Sequence, residues 1–262
     1  MLGAVIGDIV GSRFEWHNHR DKQFDFFSPE CFFTDDSVMT LAIAQAILES
    51  AGNFESLGEA AVRCMRRIGQ PYPDCGYGGN FLDWMYADHP RPYNSYGNGA
   101  AMRVSACGWA ADSLACARSL SRRVTAVTHN HPEGVKGAEA TAVAVFLARQ
   151  GEGIEAIRSA IEAAYYPLDF TLDDIRWMYT FNETCQETVP QAIEAFLEST
   201  DFEDAIRNAV SIGGDSDTLA AITGGIAEAY YGIPDDLRQQ ALNYLDPGLR
   251  QIVEDFERAY GR

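Results

Sequence analysis

The hydrophobic pattern of this chain is that of α-helices, and three segments are apolar on nearly every side. Residues 34–50, TDDSVMTLAIAQAILES, are apolar around the whole helix between Val38 and Leu48, apart from one glutamine. Residues 137–150 and 217–232 have the same pattern. A helix that is apolar all round is typically buried in a core. The sequence therefore predicts three central helices, whose many Ala and Gly residues allow their backbones to pack closely.

More amphipathic segments predict a second set of helices around these three. They are residues 55–69, 98–112, 113–126, 153–165, 187–198, 202–212, 234–245 and 247–259. Strand patterns are nearly absent, and we find no linker, tandem repeat or low-complexity tract. The sequence therefore predicts one all-α domain over residues 1–262.

Two long loops are predicted, at residues 16–33 and 70–97. The second is rich in Gly, Pro and Tyr and is long for a compact domain, and loops of this kind are usually functional. We therefore predict that residues 70–97 line the mouth of a binding pocket and select part of the ligand. The alternative is that the aromatic side chains of this loop pack a small core beneath it. These aromatic residues are Tyr72, Tyr77, Trp84, Tyr93 and Tyr96.

The excess of acidic residues argues against several classes of partner. The chain of 262 residues has 20 basic and 38 acidic residues, which give a net charge of −18. Such a surface repels phosphate backbones and anionic membranes. We therefore expect no direct nucleic-acid-binding surface and no membrane binding, and the oligomeric state stays open. A small anionic ligand would need local hydrogen-bond donors or metal ions to offset this charge.

The cysteines and the first residues of the chain indicate a cytoplasmic protein. No pair of the six cysteines has C-x-x-C spacing, so we expect reduced thiols. The first ten residues, MLGAVIGDIV, lack a basic segment, and Asp8 interrupts their apolar run, so they do not form a signal peptide. No apolar run is long enough to span a bilayer.

Two of the predicted core helices begin with clusters of carboxylates. The stretch FFTDDSVMT, residues 32–40, precedes one helix, and SIGGDSDTLAAITGG, residues 211–225, precedes the other. Adjacent anions repel each other unless a cation or strong donors compensate. Helix capping explains one carboxylate at each helix start, but not four. The alternative is two unrelated caps that face solvent.

If the two helix starts converge, their side chains form a shell of oxygen atoms. Hard oxygen ligands suit Mg²⁺ or Mn²⁺ rather than zinc, and four carboxylates could hold two divalent ions. We therefore predict that both acidic motifs share one metal site. Its members are Thr34, Asp35, Asp36, Asp215, Asp217 and Thr218.

A third stretch, GAVIGDIVGSRFEWHNH, residues 3–19, joins a glycine pattern to a possible proton-transfer group. Gly3, Gly7 and Gly11 lie on one helical face and permit close helix packing. Glu15 follows, next to Trp16, and a carboxylate beside an aromatic wall can act as a general acid or base with a raised pKa. The alternative is an exposed glutamate at a helix end.

Two further stretches suggest contacts with a ligand. NSYGNGAAMR, residues 94–103, places Gly and Asn before a helix, which could cradle an anion on backbone N–H groups or be a plain turn. In THNHPEGVKGA, residues 128–138, His129 and His131 have no third clustered ligand for zinc. A loop histidine that stacks on or bonds to a ligand is the simpler interpretation. His17 and His19 are expected to be loop residues.

These five stretches, in this order, resemble the ADP-ribosylglycohydrolase family. The matching motifs are G-D-x-x-G-x-x-x-E at residues 7–15, T-D-D-[ST]-x-M at 34–39, Y-G-N-G-x-x-M-R at 96–103, the T-H stretch at 128–138 and G-G-D-x-D-T at 213–218. Each motif alone is modest, but the ordered set is highly specific. The T-D-D motif continues here with Ser37, where many members have Thr.

The resemblance implies an all-α orthogonal bundle with a binuclear Mg²⁺ or Mn²⁺ site. The family's metal ligands map onto the six residues named above, and its acidic residue near the first helix maps onto Glu15. Further residues are expected beside the substrate: Ser95, Tyr96, Gly97 and Asn98 at the phosphates and distal ribose, His129 at the adenosine or ribose side, and Gly213 and Gly214. The loops at 16–33 and 70–94 face the leaving group in the family.

The function implied is metal-dependent hydrolysis of an N- or O-glycosidic bond to ADP-ribose. Glu15, Asp35 and Asp36 are the expected catalytic residues, with Glu15 or a metal-site aspartate transferring the proton and carboxylates stabilising an oxocarbenium-like transition state. The partner would be ADP-ribose or an ADP-ribosylated substrate. The leaving group stays open between arginine, serine, a nucleobase and a small metabolite. Two other functions are considered: a non-catalytic ADP-ribose binder and a binuclear-metal phosphoesterase.

Overall fold

A computed structural model of the chain describes residues 1–261 and has the predicted all-α architecture. The helices are α1 Leu2–Gly11, α2 Asp35–Ser50, α3 Leu57–Gly69, α4 Gly79–Tyr86, α5 Gly99–Met102, α6 Ser105–Ala110, α7 Leu114–Thr125, α8 Pro132–Arg149, α9 Ile154–Ala164, α10 Leu172–Ile175, α11 Cys185–Leu197, α12 Phe202–Ser211, α13 Ser216–Tyr231, α14 Asp235–Leu242 and α15 Pro247–Tyr260. A 3₁₀ turn, Ser12–Phe14, follows α1. In this part of the chain the only β-type pairing is one isolated antiparallel bridge between Gly97 and Thr184.

Three of the helix predictions need correction. The helix predicted at 98–112 is two short helices, α5 and α6, and the hydroxyl of Thr40 donates to the carbonyl of Met102 near the break. The predicted loop 70–97 contains helix α4. Helix α8 begins at Pro132, five residues before the predicted start, because proline suits the first helical position and the Nδ1 atom of His131 accepts from the amide of Glu133.

The three helices predicted to be central, α2, α8 and α13, are buried along most of their length. The buried apolar side chains form one contiguous cluster that extends from α1 to α15. All six cysteines are free thiols. No helix within residues 1–261 combines the length and the apolar character needed to cross a membrane.

Helix α1 lies directly against α13, and its glycine face permits this contact. Every residue of α1 is buried. A Cβ atom added to Gly7 would lie 2.7 Å from the backbone nitrogen of Ala221, and one added to Gly11 would lie 2.7 Å from that of Asp217. Such distances are too short for a real side chain, so glycine is required at both positions. The close packing brings the end of α1 against the second acidic motif.

Candidate active site

A cavity of about 510 Å³ lies where the first turns of α2 and α13 meet. Its walls carry many more negative than positive groups. The acidic residues are Glu15, Asp35, Asp36, Asp74, Glu183, Asp215 and Asp217. Arg103 is the one arginine or lysine among the described residues that line it. The wall of the cavity is therefore strongly acidic and carries a single arginine.

The two acidic motifs converge as the sequence predicts. Asp8, Asp36 and Asp217 offer carboxylate oxygens that all lie within 4.8 Å of one another, and so do Glu15, Asp215 and Asp217. Asp217 belongs to both groups. Two overlapping triads of carboxylates are an arrangement that can hold two divalent cations. Whether ions bind here stays a prediction.

Asp8 is a site residue that the sequence analysis did not single out. One carboxylate oxygen, Oδ2, accepts from the amides of Thr34 and Ser37, at 2.9 and 3.1 Å, and from the Ser37 hydroxyl. The other, Oδ1, accepts from the Thr34 hydroxyl at 2.7 Å. Four donors therefore hold Asp8 in place, and Asp8 in turn fixes the start of α2. Asp8 is the one charged residue in an apolar helix. Because a buried carboxylate needs hydrogen-bond donors, this position could have been recognised from the sequence as a site residue.

The first acidic motif is anchored by its own backbone as well. Thr34 caps α2, because its hydroxyl accepts from the amide of Asp36 at 3.2 Å. The amide of Asp35 donates to the carbonyl of Cys75 at 2.8 Å, which ties α2 to the loop at 70–97. Asp35 lines the cavity but belongs to neither carboxylate triad. Its role as a metal ligand stays a prediction.

The carboxylates destabilise one another in the absence of cations. Burial, followed by the charges of neighbouring carboxylates, raises the pKa of Asp35, Asp36 and Asp217 well above the ordinary value. Oδ1 of Asp36 is buried and accepts no hydrogen bond. A buried carboxylate oxygen without a donor is costly, so this donor set fits a bound divalent cation.

Glu15 lies on the cavity wall just after the 3₁₀ turn. Its pKa is raised to about 7, first by burial and then by the charges of Asp215 and Asp8. The raised pKa predicted for Glu15 is present, but the aromatic side chain of Trp16 is not its main cause. Trp16 is 70% exposed, stacks on Phe181 and lowers the pKa through a hydrogen bond.

The predicted phosphate loop contributes three of its four residues to the cavity. Ser95, Gly97 and Asn98 line it, whereas Tyr96 is not among the lining residues and its ring lies 5.1 Å from that of His131. Asn98 donates through Nδ2 to Oδ2 of Asp215 at 2.7 Å. The loop is therefore joined directly to the second acidic motif.

The backbone amides of this loop are largely engaged already. The amide of Gly97 donates to Oγ of Ser95 at 3.1 Å, and that of Asn98 donates to the carbonyl of Glu183 at 2.7 Å. Helix α5 that follows has only four residues. These contacts weaken the anion-cradle hypothesis at Gly97 and Asn98.

His129 lines the cavity and is held by a buried arginine. Nδ1 of His129 lies 3.1 Å from Nη2 of Arg103 and 2.8 Å from Oγ1 of Thr128. Burial, and then the charge of Arg103, lower the pKa of His129 well below its usual value. The sequence analysis missed Arg103, although it is the one basic residue in the stretch at 94–103.

Gly213 and Gly214 form the turn before α13. Both have positive φ angles, 69° and 79°, which favour glycine. Neither is among the cavity-lining residues. The amide of Gly214 donates to Oδ1 of Asn18, and a Cβ atom on Gly214 would meet the ring of Tyr179. These contacts give the two glycines a structural role, and their contact with a substrate stays a prediction.

The loop at 70–97 has features of both predicted alternatives, the pocket wall and the small aromatic core. Every residue from Asp74 to Phe81 except Tyr77 lines the cavity, as does Tyr93. Tyr77 and Trp84, however, are buried and stack with Phe81, as the small-core alternative predicts. Tyr72 donates a hydrogen bond to Asp246.

Comparisons with known proteins identify a family and several relatives of this chain. The family model described as ADP-ribosylglycohydrolase matches residues 1–262. The human protein named ADP-ribosylhydrolase ARH3 is 28% identical over 93% of this chain and 88% of its own length. ADP-ribosylarginine hydrolase Tri1 of Pseudomonas putida is 25% identical over 89% of this chain and 70% of its own length.

A solved structure has the same fold. It is described as an ADP-ribosylglycohydrolase-related protein complex and superposes with a TM-score of 0.69, at 23% identity, over 100% of this chain and 96% of that chain. At this identity the likeness concerns the fold alone. The match of the family model over the whole chain is the decisive finding. The chain therefore belongs to the ADP-ribosylglycohydrolase family.

Proposed function

We propose that this protein hydrolyses the glycosidic bond between ADP-ribose and a modified arginine side chain, with two Mg²⁺ or Mn²⁺ ions as cofactors. Family membership indicates a hydrolase that removes ADP-ribose. The single observation that carries the metal dependence is the pair of carboxylate triads that share Asp217, whose members other than Asp8 line one cavity.

The cations would be held by the oxygen atoms at the starts of α2 and α13. Bound divalent cations would supply positive charge that orients oxygen groups of the substrate and lowers the pKa of water. The residues proposed to hold them are Thr34, Asp35, Asp36, Asp215, Asp217 and Thr218.

Glu15 is proposed to transfer the proton. Burial and the charges of Asp215 and Asp8 raise its pKa, and a carboxyl group on the cavity wall can donate to a leaving group or accept from water. Asp35 and Asp36 add negative charge to the wall, which stabilises positive charge that develops on the sugar during cleavage. Ser95, Asn98 and His129 line the same cavity, and we propose that they bind the ADP-ribose portion.

The mouth of the cavity favours a cationic leaving group. Trp16 lines the cavity, is 70% exposed and stacks on Phe181, with ring centroids 5.0 Å apart. Glu183 and Asp74 also line the cavity. An exposed aromatic face beside carboxylates suits a guanidinium group through cation–π attraction and charge. A serine hydroxyl would use neither feature.

The test compares two peptides of the same sequence that carry ADP-ribose on arginine or on serine. Each is incubated with Mg²⁺ or with EDTA, and the products are identified by mass spectrometry. We expect intact ADP-ribose, faster release from arginine, and no release in EDTA or in Asp217→Asn. An ADP-ribosylated oligonucleotide serves as a third substrate.

Three outcomes would contradict the proposal. Release of AMP or phosphate would indicate a phosphoesterase. Tight binding of ADP-ribose without cleavage of any substrate would indicate a binding protein. Faster release from serine would refute the assignment of the leaving group and retain the hydrolase.

A further inference from the structure

Arg103 is a buried cation without an acidic partner. Its side chain is 1% exposed, and within residues 1–261 it forms no ion pair. Its Nε atom is buried and unpaired, and its guanidinium lies 5.7 Å from the centroid of the Phe81 ring. Burial lowers its pKa to about 10, so it remains charged at neutral pH. A buried charge of this kind is costly and calls for a function.

The hydrogen bonds of Arg103 lead to His129. Nη2 of Arg103 lies 2.6 Å from the hydroxyl of Thr128 and 3.1 Å from Nδ1 of His129. The Thr128 hydroxyl is in turn placed to donate to the carbonyl of Thr125 at 3.3 Å. Arg103 therefore contacts two acceptors, and one of them belongs to a cavity-lining ring.

These contacts determine which nitrogen of His129 carries the proton. A guanidinium has five N–H donors and no acceptor. The Thr128 hydroxyl also lies 2.8 Å from Nδ1, and because it accepts from Arg103 its own proton is available to Nδ1. A proton on Nδ1 would point at the N–H group of Arg103, so Nδ1 is the acceptor. The neutral ring then carries its proton on Nε2, since one nitrogen donates when the other accepts.

Nε2 of His129 faces the loop that lines the cavity. A Cβ atom added to Gly99 would lie 3.3 Å from Nε2, and one added to Gly97 would lie 3.7 Å from it. The ring of Tyr93 lies next to that of His129, with centroids 5.8 Å apart. The ring is thus confined between the loop, Tyr93 and Arg103.

We propose that Arg103 is a positioning residue that fixes His129 as an Nε2–H donor to an oxygen of the bound ADP-ribose. Arg103 and His129 form a donor wall in a cavity whose other walls carry carboxylates. Anionic or hydroxyl oxygens of the ligand bind at this wall, away from the acidic triads. The ligand contact rests on the proposed function, whereas the state of the ring can be measured without it.

The first test measures the tautomer of His129 in the wild-type protein. The ¹⁵N chemical shifts of the five histidine rings are recorded at pH 7.5, and His129→Asn assigns the signal. We expect the Nε2–H tautomer both free and with ADP-ribose. An Nδ1–H tautomer or an imidazolium would overturn the proposal, and this result does not depend on any variant of Arg103.

The second test asks whether Arg103 acts through His129. Arg103→Met should raise the Kd for ADP-ribose about tenfold or more, as expected for the loss of a hydrogen bond that involves a charged group. His129→Phe should give a similar loss, and the double variant should add little, because residues that act as a unit are not additive. Arg103→Met should also reduce the population of the Nε2–H tautomer, and Arg103→Lys should restore it in part.

Thr128→Val separates the two partners of Nδ1, because it removes the Thr128 hydroxyl, 2.8 Å from Nδ1, and leaves Arg103, 3.1 Å from Nδ1. Its tautomer should stay Nε2–H. Two results would overturn the proposal. One is an additive loss of affinity for ADP-ribose in the double variant of Arg103 and His129. The other is a loss of the Nε2–H tautomer in Thr128→Val but not in Arg103→Met. An Nε2–H ring in a protein that cleaves no ADP-ribosyl bond would contradict the proposed function and support the positioning role.

Discussion

The hydroxyl of Thr218 donates a hydrogen bond of 3.1 Å to Oδ2 of Asp36, across 182 residues of the chain. This bond joins the first turns of α2 and α13. It satisfies one oxygen of Asp36 and leaves Oδ1 buried without a donor. The two acidic motifs therefore form one site, with an unsatisfied oxygen that suits a cation.

Divalent cations should stabilise the protein through this site. An ion that binds only the folded state at a hundred times its Kd adds about 2.7 kcal/mol. For a chain of this size, that is an increase in Tm of roughly 5–10 °C. The increase should disappear in Asp217→Asn and persist in Asp255→Asn, a surface control on α15. A wild-type Tm that does not respond to Mg²⁺ or Mn²⁺ would contradict the metal site.

Without metal, stability should fall as the pH rises from about 4 to about 7. The pKa values of Asp35, Asp36 and Asp217 are raised well above 3.8, and that of Glu15 is about 7. Between the unfolded and folded pKa values the folded state binds more protons, so the free energy of unfolding decreases with increasing pH.

Thermal unfolding in EDTA at pH 5, 6, 7 and 8 measures this dependence, and saturating Mg²⁺ should largely remove it. Carboxylates with lowered pKa values, such as Asp204 and Asp246, affect stability only below this window. Asp217→Asn should flatten the profile in EDTA. A Tm that rises between pH 5 and pH 8 in EDTA would show that the cluster is not protonated in the folded state.

Glu15→Gln should slow hydrolysis by about 10²-fold and leave the Kd for ADP-ribose nearly unchanged. The reason is that the amide cannot transfer a proton but keeps the size of the side chain. Single-turnover rates and calorimetric titration measure the two effects. Asp255→Asn is the control, because Asp255 lies on the surface of α15 and outside the cavity. Undiminished turnover in Glu15→Gln would assign proton transfer to an aspartate.

Gly76→Ala should weaken metal binding more than Gly78→Ala does. Gly76 has a φ angle of 99°, and a Cβ atom there would lie 3.2 Å from Oδ1 of Asp35. An alanine is strained at this φ by about 1–2 kcal/mol and crowds that carboxylate. Gly78 has a φ angle of −60° and nothing within 4 Å of an added Cβ atom. Equal metal affinities in the two variants would show that the loop does not position Asp35.

Gly7→Ala should destabilise the fold by at least about 1–3 kcal/mol, the usual cost of overpacking. An added Cβ atom would overlap the backbone of α13 at Ala220 and Ala221. Gly153→Ala is the control, since open space surrounds Gly153 and its φ angle is −71°. Urea unfolding measures both. If the two variants lose the same stability, the contact between α1 and α13 is not as close as described here.

The sequence by itself determined the helical class and the acidic character of the site. Periodicity is a local property, so the buried character of α2, α8 and α13 can be recognised without any tertiary contact. The two acidic motifs are also local, because each lies within one helix start. Repulsion between adjacent carboxylates is enough to predict that a cation or donors must accompany them.

Only the tertiary structure decided which distant groups meet. Three features join segments that are far apart in the sequence. They are the four donors to Asp8, the contact of Arg103 with His129 and the position of Glu183 on the cavity wall. The same holds for the loop at 70–97, where Tyr77 entered the core. A local pattern shows that a polar group will be buried, but its partner depends on how the helices pack. Here the packing of α1 on α13 brings the acidic motifs into one cavity.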